Sequence, residues 1–280
     1  MIRFDLNYRL EFFENGIQKI VINEKAKDRN ILTTKFAIQK SPFQGVNTAT
    51  FTIYNLKQET RKALFKDRLN TEFNKELRFY VGYGSDLFLC FKGTIDECYS
   101  KSLPPDNITN IVCVDGLRTT TNAFANITLK EGQNLKDVFY QITNFLGVPK
   151  GTVKSIEEGV INKDFTINGK ALEEVNKLYN NSVYIENETY NKISDKETLD
   201  EATIIIDSGI ILETPRRENN YISLSTLFLP ELKINSKVLL DSNFNVAFNG
   251  DYKVITINHD GQISGCVESK VITKLNLMKL

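Results

Sequence analysis

Short runs of alternating apolar and polar residues, each closed by Gly, Asn, Asp or Pro, fill the first 118 residues. "IQKIVINE", "KFAIQKS", "TATFTIYN", "ELRFYVGYG", "LFLCFKGTIDECYS" and "NITNIVCVDG" are such runs. A period of two, rich in β-branched and aromatic residues, marks strands with one face against a core. At this spacing they predict a small barrel or sandwich over residues 1–118. "LPPDN" at 103–107 predicts a turn, since its prolines cannot donate into a central ladder.

After Asp115-Gly116 the period changes. In "GQNLKDVFYQITNFLG", Leu135, Val138, Phe139, Ile142, Phe145 and Leu146 share one helical face. Gly147 suits a left-handed helix end, and Pro149 follows it. A second helix is expected in "GKALEEVNKLYNN", with Leu172, Val175, Leu178 and Tyr179 inward. With "DFTIN", "SVYIENETY" and "ATIIIDSGIILE", these predict a small α/β unit over 119–214. Residues 215–280 return to strands: "YISLSTLF", "KVLLDS", "DYKVITINHDG" and "SGCVESKVIT". The expected fold class is therefore α+β, mainly β, with two small barrel-like β domains (1–118 and 215–280) flanking an α/β domain. A faint echo links the outer two. Phe91-Lys92-Gly93 and Phe248-Asn249-Gly250 each precede a strand and follow another, as two copies of one β unit would.

One corner combines both patterns. In residues 47–65, Ala49, Phe51 and Ile53 alternate with Thr48, Thr50 and Thr52. Tyr54-Asn55-Leu56 then breaks the alternation, and "KQETRKALF" reads as a short charged helix. Asn55 is expected to cap that helix and Leu56 to anchor the turn.

No reactive constellation stands out. His259, the only histidine, lies in "INHDG", where a strand is expected to enter an Asp-Gly turn. Asp260, Ser264 and Cys266 are its nearest possible partners, but no nucleophile elbow frames them. A polar turn histidine is the plainer reading. Asp96-Glu97 on a strand point to opposite faces, and Glu173-Glu174 on a helix diverge by about 100°. Glu157-Glu158 is a third adjacent pair. "VGYGSD" at 81–86 lacks the phosphate-loop frame and reads as a strand-end turn. Arg61, Lys62, Lys66 and Arg68 form a basic cluster that Asp67 dilutes. Cys90, Cys98, Cys113 and Cys266 have no C-x-x-C spacing and suit buried reduced thiols better than zinc. No catalytic, cofactor or metal residue is assigned.

Lys+Arg and Asp+Glu both number 35, so no global field favours nucleic acid or an anionic membrane. Residues 150–215 are net −6, compatible with segments docking on different neighbours and equally with chance. "MIRFDLNYRLEFFENG" has no apolar h-region, and no long apolar run suggests a membrane anchor. An intracellular product is expected.

The order of these landmarks resembles the baseplate hub proteins of tailed bacteriophages, related to the late control D family and to contractile injection hubs. "NTATFTIYNLKQETRKAL" is similar to the hub strand–helix corner, and "VGYGSDLFLCFKGTI" to the paired strands that follow. "NIVCVDGLRTTTNAFANITLKEGQNLKDVFYQITNFLGV" resembles the C-x-D-G strand end with its helix. "DFTINGKALEEVNKL" and "GIILETPRRE" match later landmarks, and "STLFLPELKINSKVLLDS…FNGDYKVITINHDGQISG" the C-terminal run. Gln262, where an acidic residue is common, and Asn235-Ser236, in place of a glycine turn, depart from the pattern.

The resemblance implies a structural, non-enzymatic virion protein of the tail or baseplate, made in the bacterial host cytoplasm. It implies a homotrimeric ring joining a sixfold tail tube to a threefold spike, each subunit supplying two similar domains. Expected partners are the tail tube protein, the spike protein and other baseplate proteins, with phage DNA passing through unrecognised. The alternatives are a tail-associated cell-wall hydrolase or a carbohydrate- or receptor-binding module.

Overall fold

The computed structural model describes residues 5–23, 31–43, 46–67, 69–70, 72, 74–265 and 269–280. The first half contributes β1 (Leu6–Glu14), β2 (Ile17–Ile22), β3 (Thr34–Lys40), β4 (Thr48–Tyr54), β5 (Lys75–Tyr83), β6 (Asp86–Leu103) and β7 (Asp106–Val114). Helix α1 (Gln58–Leu64) lies between β4 and β5. The middle holds α2 (Leu117–Asn122), β8 (Phe124–Leu129), α3 (Leu135–Thr143), β9 (Lys150–Val153), β10 (Phe165–Lys170), α4 (Ala171–Leu178), β11 (Val183–Glu186) and β12 (Thr189–Lys192). Then come β13 (Ile204–Asp207), β14 (Ile211–Glu218), β15 (Tyr221–Leu227), β16 (Lys237–Asp241), β17 (Gly250–Ile263) and β18 (Lys270–Lys279).

One large sheet joins both ends of the chain in the order β14-β15-β18-β17-β3-β4-β7-β6-β5-β1-β2, with β13 and β16 branching from β17. Among the described residues the two ends of this path, β14 and β2, are not paired with each other. Within it one connectivity occurs twice. The five strands β3 to β7 lie in the order β3-β4-β7-β6-β5, and β14 to β18 in the order β14-β15-β18-β17-β16. Numbered from one, both read 1-2-5-4-3, and every adjacent pair is antiparallel. The Phe-x-Gly echo falls on the fourth strand of each unit, inside β6 at Gly93 and at the first residue of β17 at Gly250.

Three apolar clusters fill the fold, with a fourth, smaller one between them. The first packs Tyr8, Phe36, Phe51, Phe79 and Phe91, and Leu56 of the corner is buried in it. The second gathers Val138, Phe139 and Ile142 of α3 with Leu172 and Val175 of α4 and Tyr179 beyond it. The third lies under β15–β18 around Leu224, Val238, Ile257 and Leu277.

Both helices follow their sequence stripes. Asn134 caps α3 by accepting the Lys136 N–H, and Gly147 takes the left-handed conformation after a 3-10 turn. Phe145 departs from the expected stripe: that 3-10 turn rotates it outward, leaving it 39% exposed. The segment "ATIIIDSGIILE", read with the α/β unit, instead supplies β13 and β14 to the large sheet, where β16 and β15 offer free edges.

Candidate assembly surfaces

The corner after β4 departs from its expected chemistry. Asn55 sits at φ 58° and caps no helix; the N-cap position of α1 is Lys57, which has no side-chain cap bond. The Asn55 Nδ2–H donates to Asp106 Oδ1 (2.8 Å), and its Oδ1 accepts the Asn107 N–H (3.0 Å). A left-handed residue tolerated by Asn turns the chain toward the β6–β7 hairpin instead of into a helix. The corner is a joint between strands.

A second joint holds the middle of the chain to the first unit. β11 and β12 form a hairpin whose two turn residues, Asn187 and Glu188, both have positive φ, as a two-residue primed turn requires. Asp115, fully buried at the end of β7, accepts both turn N–H groups at 2.7 Å and the Asn47 Nδ2–H at 3.0 Å. Burial outweighs these donors and pushes its carboxyl up to about 7. Glu188 turns back to accept the Gly116 N–H and the Thr94 hydroxyl, and burial raises its carboxyl too. Beside them Lys40 of β3 donates to Glu186 at 2.9 Å, both side chains nearly dry. Burial alone would lower the Lys40 ammonium, but the Glu186 charge holds it above the ordinary lysine value.

The last third closes the assembly. Phe228, after β15, enters the first cluster against Phe36, Tyr83 and His259, and its carbonyl accepts the Tyr83 hydroxyl at 3.0 Å. Lys253 of β17 reaches the Ser194 carbonyl at 2.6 Å, and burial pushes its ammonium down to about 8.

The large sheet also carries a solvent-facing stretch of mixed polar and apolar side chains. Paired positions across four strands set Ile272, Asp260, Ala37 and Thr50 in one row and Lys270, Gln262, Lys35 and Thr52 in the next. These residues line a shallow trough.

The residues considered for catalysis do not converge. His259 is in mid-strand, not at a turn. β17 runs straight through Asp260-Gly261 because β3 and β18 pair with it on both sides, and a Cβ at Gly261 would meet the Lys270 carbonyl and Val271. The ring packs edge-on to Phe228 and bonds to Thr273 Oγ1 at 2.9 Å, while Asp260 faces the other way. Burial, with Lys40 nearby, pushes His259 down to about 3 and keeps it neutral. Ser264 bonds to Thr33, and Cys266 lies outside the described residues. Asp96 occupies a register shift between β6 and β7, Glu157 pairs with Lys192, and Glu173 and Glu174 pair with Lys170 and Lys177. The basic cluster is divided: Lys66 folds inward onto the Ile95 carbonyl, Arg61 bonds to Asn107, and Arg68 lies outside the described residues. "VGYGSD" is the β5–β6 turn, with Gly84 at φ 60°. Burial pushes the Cys90 and Cys98 thiols up to about 12 and raises the Cys113 thiol well above its ordinary value. No group of three His, Cys, Asp or Glu side chains suited to a metal occurs among the described residues. Among the described residues no helix is long and apolar enough to cross a membrane.

Sequence patterns suggested the corner and the C-x-D-G end, but not Glu186, Glu188 or Phe228. Only the positive-φ preference of Asn187 in "IENET" hinted at a tight turn there.

Comparison places these features in a family context. The profile of a family described as "Baseplate hub gp41" matches residues 17–262. A 43 kDa tail protein of prophage MuSo2 from Shewanella oneidensis is similar in fold, with TM-score 0.63 at 8% identity, covering 97% of this chain and 98% of that one. A tail protein from Neisseria meningitidis gives 0.62 at 9% identity, covering 98% and 97%. An Escherichia coli component of the type VI secretion system gives 0.59 at 7% identity, covering 89% and 73%. None of the curated proteins compared with the chain matches it.

Proposed function

The chain belongs to the baseplate hub gp41 family, a structural component of phage tails, and from that premise we propose that three copies form a ring joining a sixfold tail tube to a threefold spike. The observation that carries this reading is the twofold occurrence of the 1-2-5-4-3 unit. Three chains with two such units each present six similar surfaces, which a sixfold partner can meet and a single-unit trimer cannot. The opposite side of the ring keeps only the threefold symmetry of the chains, which suits a trimeric spike.

In this reading residues 1–118, 119–214 and 215–280 serve as first unit, clamp and second unit, with β13 and β14 drawn from the middle stretch into the second. The clamp holds the units at a fixed angle through Asp115, Lys40–Glu186 and Lys253. The trough bounded by Lys35, Thr52, Gln262 and Lys270 lines the channel, and DNA passes it without sequence-specific contacts. Tube, spike and neighbouring baseplate proteins are the partners, in a virion assembled from protein made in the host cytoplasm. A stable trimer of this kind is expected to bury more than about 2,000 Å² per interface.

Light scattering and negative-stain imaging of the purified chain test this. Trimers with a central hole are expected; a compact monomer at all concentrations overturns it.

A further inference from the structure

Three adjacent strands end their buried faces on polar groups. Along β3 the buried positions are Thr34, Phe36, Ile38 and Lys40. Along β4 and the residue before it they are Ile53, Phe51, Ala49 and Asn47. Along β7 and the residue after it they are Thr109, Ile111, Cys113 and Asp115. The β3–β4 register sets Gln39 opposite Thr48, so its next step sets Lys40 opposite Asn47. The β4–β7 register continues likewise to Asn47 opposite Asp115, whose N–H donates to the Asn47 carbonyl at 2.9 Å. Directly opposed residues stand about 5 Å apart at Cα, so the Asn47 amide lies within the sweep of the lysine stem.

Each of these groups has a partner suited to acyl transfer. Glu186 lies 2.9 Å from Lys40 Nζ, placed to take a proton. The Ser41 N–H donates to Asn47 Oδ1 at 3.0 Å and polarises the amide carbonyl. Asn47 Nδ2 donates to Asp115 Oδ2 at 3.0 Å and to the Ile185 carbonyl at 2.9 Å. These bonds hold the amide plane still and leave its faces to a nucleophile. Burial pushes the Asp115 carboxyl up to about 7, so it carries a proton through much of the neutral range. Its side-chain bonds to Asn47, Asn187 and Glu188 are all accepted from N–H groups. A buried ion pair accounts for Lys40 and Glu186 but gives no role to an amide fixed between that lysine and a protonated acid.

We propose that Lys40 and Asn47 join in a spontaneous intramolecular isopeptide bond, with Glu186 as base and Asp115 as acid. The ion pair and the Asn47 bonds described above belong to the chain before this step. The step is slow because Lys40 rests as an ammonium. Proton transfer along the 2.9 Å bond to Glu186 gives two neutral groups, a state that a dry site favours over bare charges. The amine then adds to Asn47 Cγ, and the carbonyl electron pair moves onto Oδ1 beside the Ser41 N–H. When that pair returns, the Cγ–Nδ2 bond breaks. Asp115 protonates the leaving nitrogen and recovers a proton from Nζ. One amide forms, one ammonia leaves, Glu186 ends protonated, and nothing is oxidised or reduced. The product fastens β3 to β4 where β3 also meets β17, so this end of the hairpin no longer frays.

The test is the mass of the full chain, freshly purified and after a week at neutral pH. A chain lighter than its sequence by one ammonia is expected to accumulate. Trypsin is expected to leave Lys40 uncut in it, giving one Phe36–Lys57 peptide lighter by the same amount. That peptide separates the bond from ammonia loss at the Asn-Gly steps, which all lie outside it. Full mass with cleavage after Lys40 at the end of the week overturns the proposal. Loss of one water instead of ammonia overturns Asn47 as the site. Lys40→Arg is expected to keep its full mass, and the same lightened peptide in that variant removes Lys40 from the bond. Asp115→Asn keeps the shape of the side chain and is expected to slow the loss by about a hundredfold. An unchanged rate overturns Asp115 as the acid.

Discussion

Raising the pH should loosen the joint at Asp115 by an amount that follows from its surroundings. The carboxyl is fully buried, and its pKa is pushed from an ordinary 3.8 to about 7, with burial the leading cause. In the folded chain it therefore holds its proton over a window where the unfolded chain has released it. For a raised acid the linkage sign is negative: stability falls as pH rises from about 4 to 7 and levels off above. Full ionisation in the folded state costs roughly 4 kcal/mol, of which about 2.5 kcal/mol falls between pH 5 and pH 8.5. Asp115→Asn removes the titration. It also leaves one of the donors from Asn47, Asn187 and Glu188 facing an amide N–H, so it is expected to cost about 1–3 kcal/mol at pH 5. Urea unfolding of both proteins at matched concentration should show their stability gap shrinking by about 2.5 kcal/mol at pH 8.5. A gap that stays the same at both pH values refutes the argument, because all other titrating groups are common to the pair.

Three further outcomes are expected. Phe228→Ala should cost about 3–5 kcal/mol in urea unfolding, since the ring fills a site between Phe36, Tyr83 and His259; a loss below about 1 kcal/mol would deny it that bridging role. Lys40→Met should cost about 3–5 kcal/mol by stranding the Glu186 carboxylate, and adding Glu186→Leu should recover much of it, whereas additive losses would contradict a dry ion pair. Asn55→Ala and Asp106→Ala should couple by roughly 0.5–1 kcal/mol in a double-mutant cycle, and strict additivity would remove the joint at the corner.

Three buried ionisable side chains form joints within the chain: Asp115 and Lys40 hold the β11–β12 hairpin, and Lys253 holds residues 194–195.

The sequence by itself determined the local elements. A period of two specified the strands from β2 to β7, and a period of 3.6 with Asn134 and Gly147 at its ends specified α3. These are choices each residue makes with neighbours a few positions away. Tertiary structure alone decided which edges met. Ile38 faces His259 across a ladder whose backbone groups are alike for every side chain, so no local pattern names that partner. The same holds for β13 and β14, which joined the large sheet because β16 and β15 had open edges. His259 became a neutral core residue only because β3 and β18 kept β17 straight where Asp260-Gly261 alone suggested a turn. Asp115 was legible as a strand end, but its raised carboxyl depends on a hairpin 72 residues further on that shuts out water.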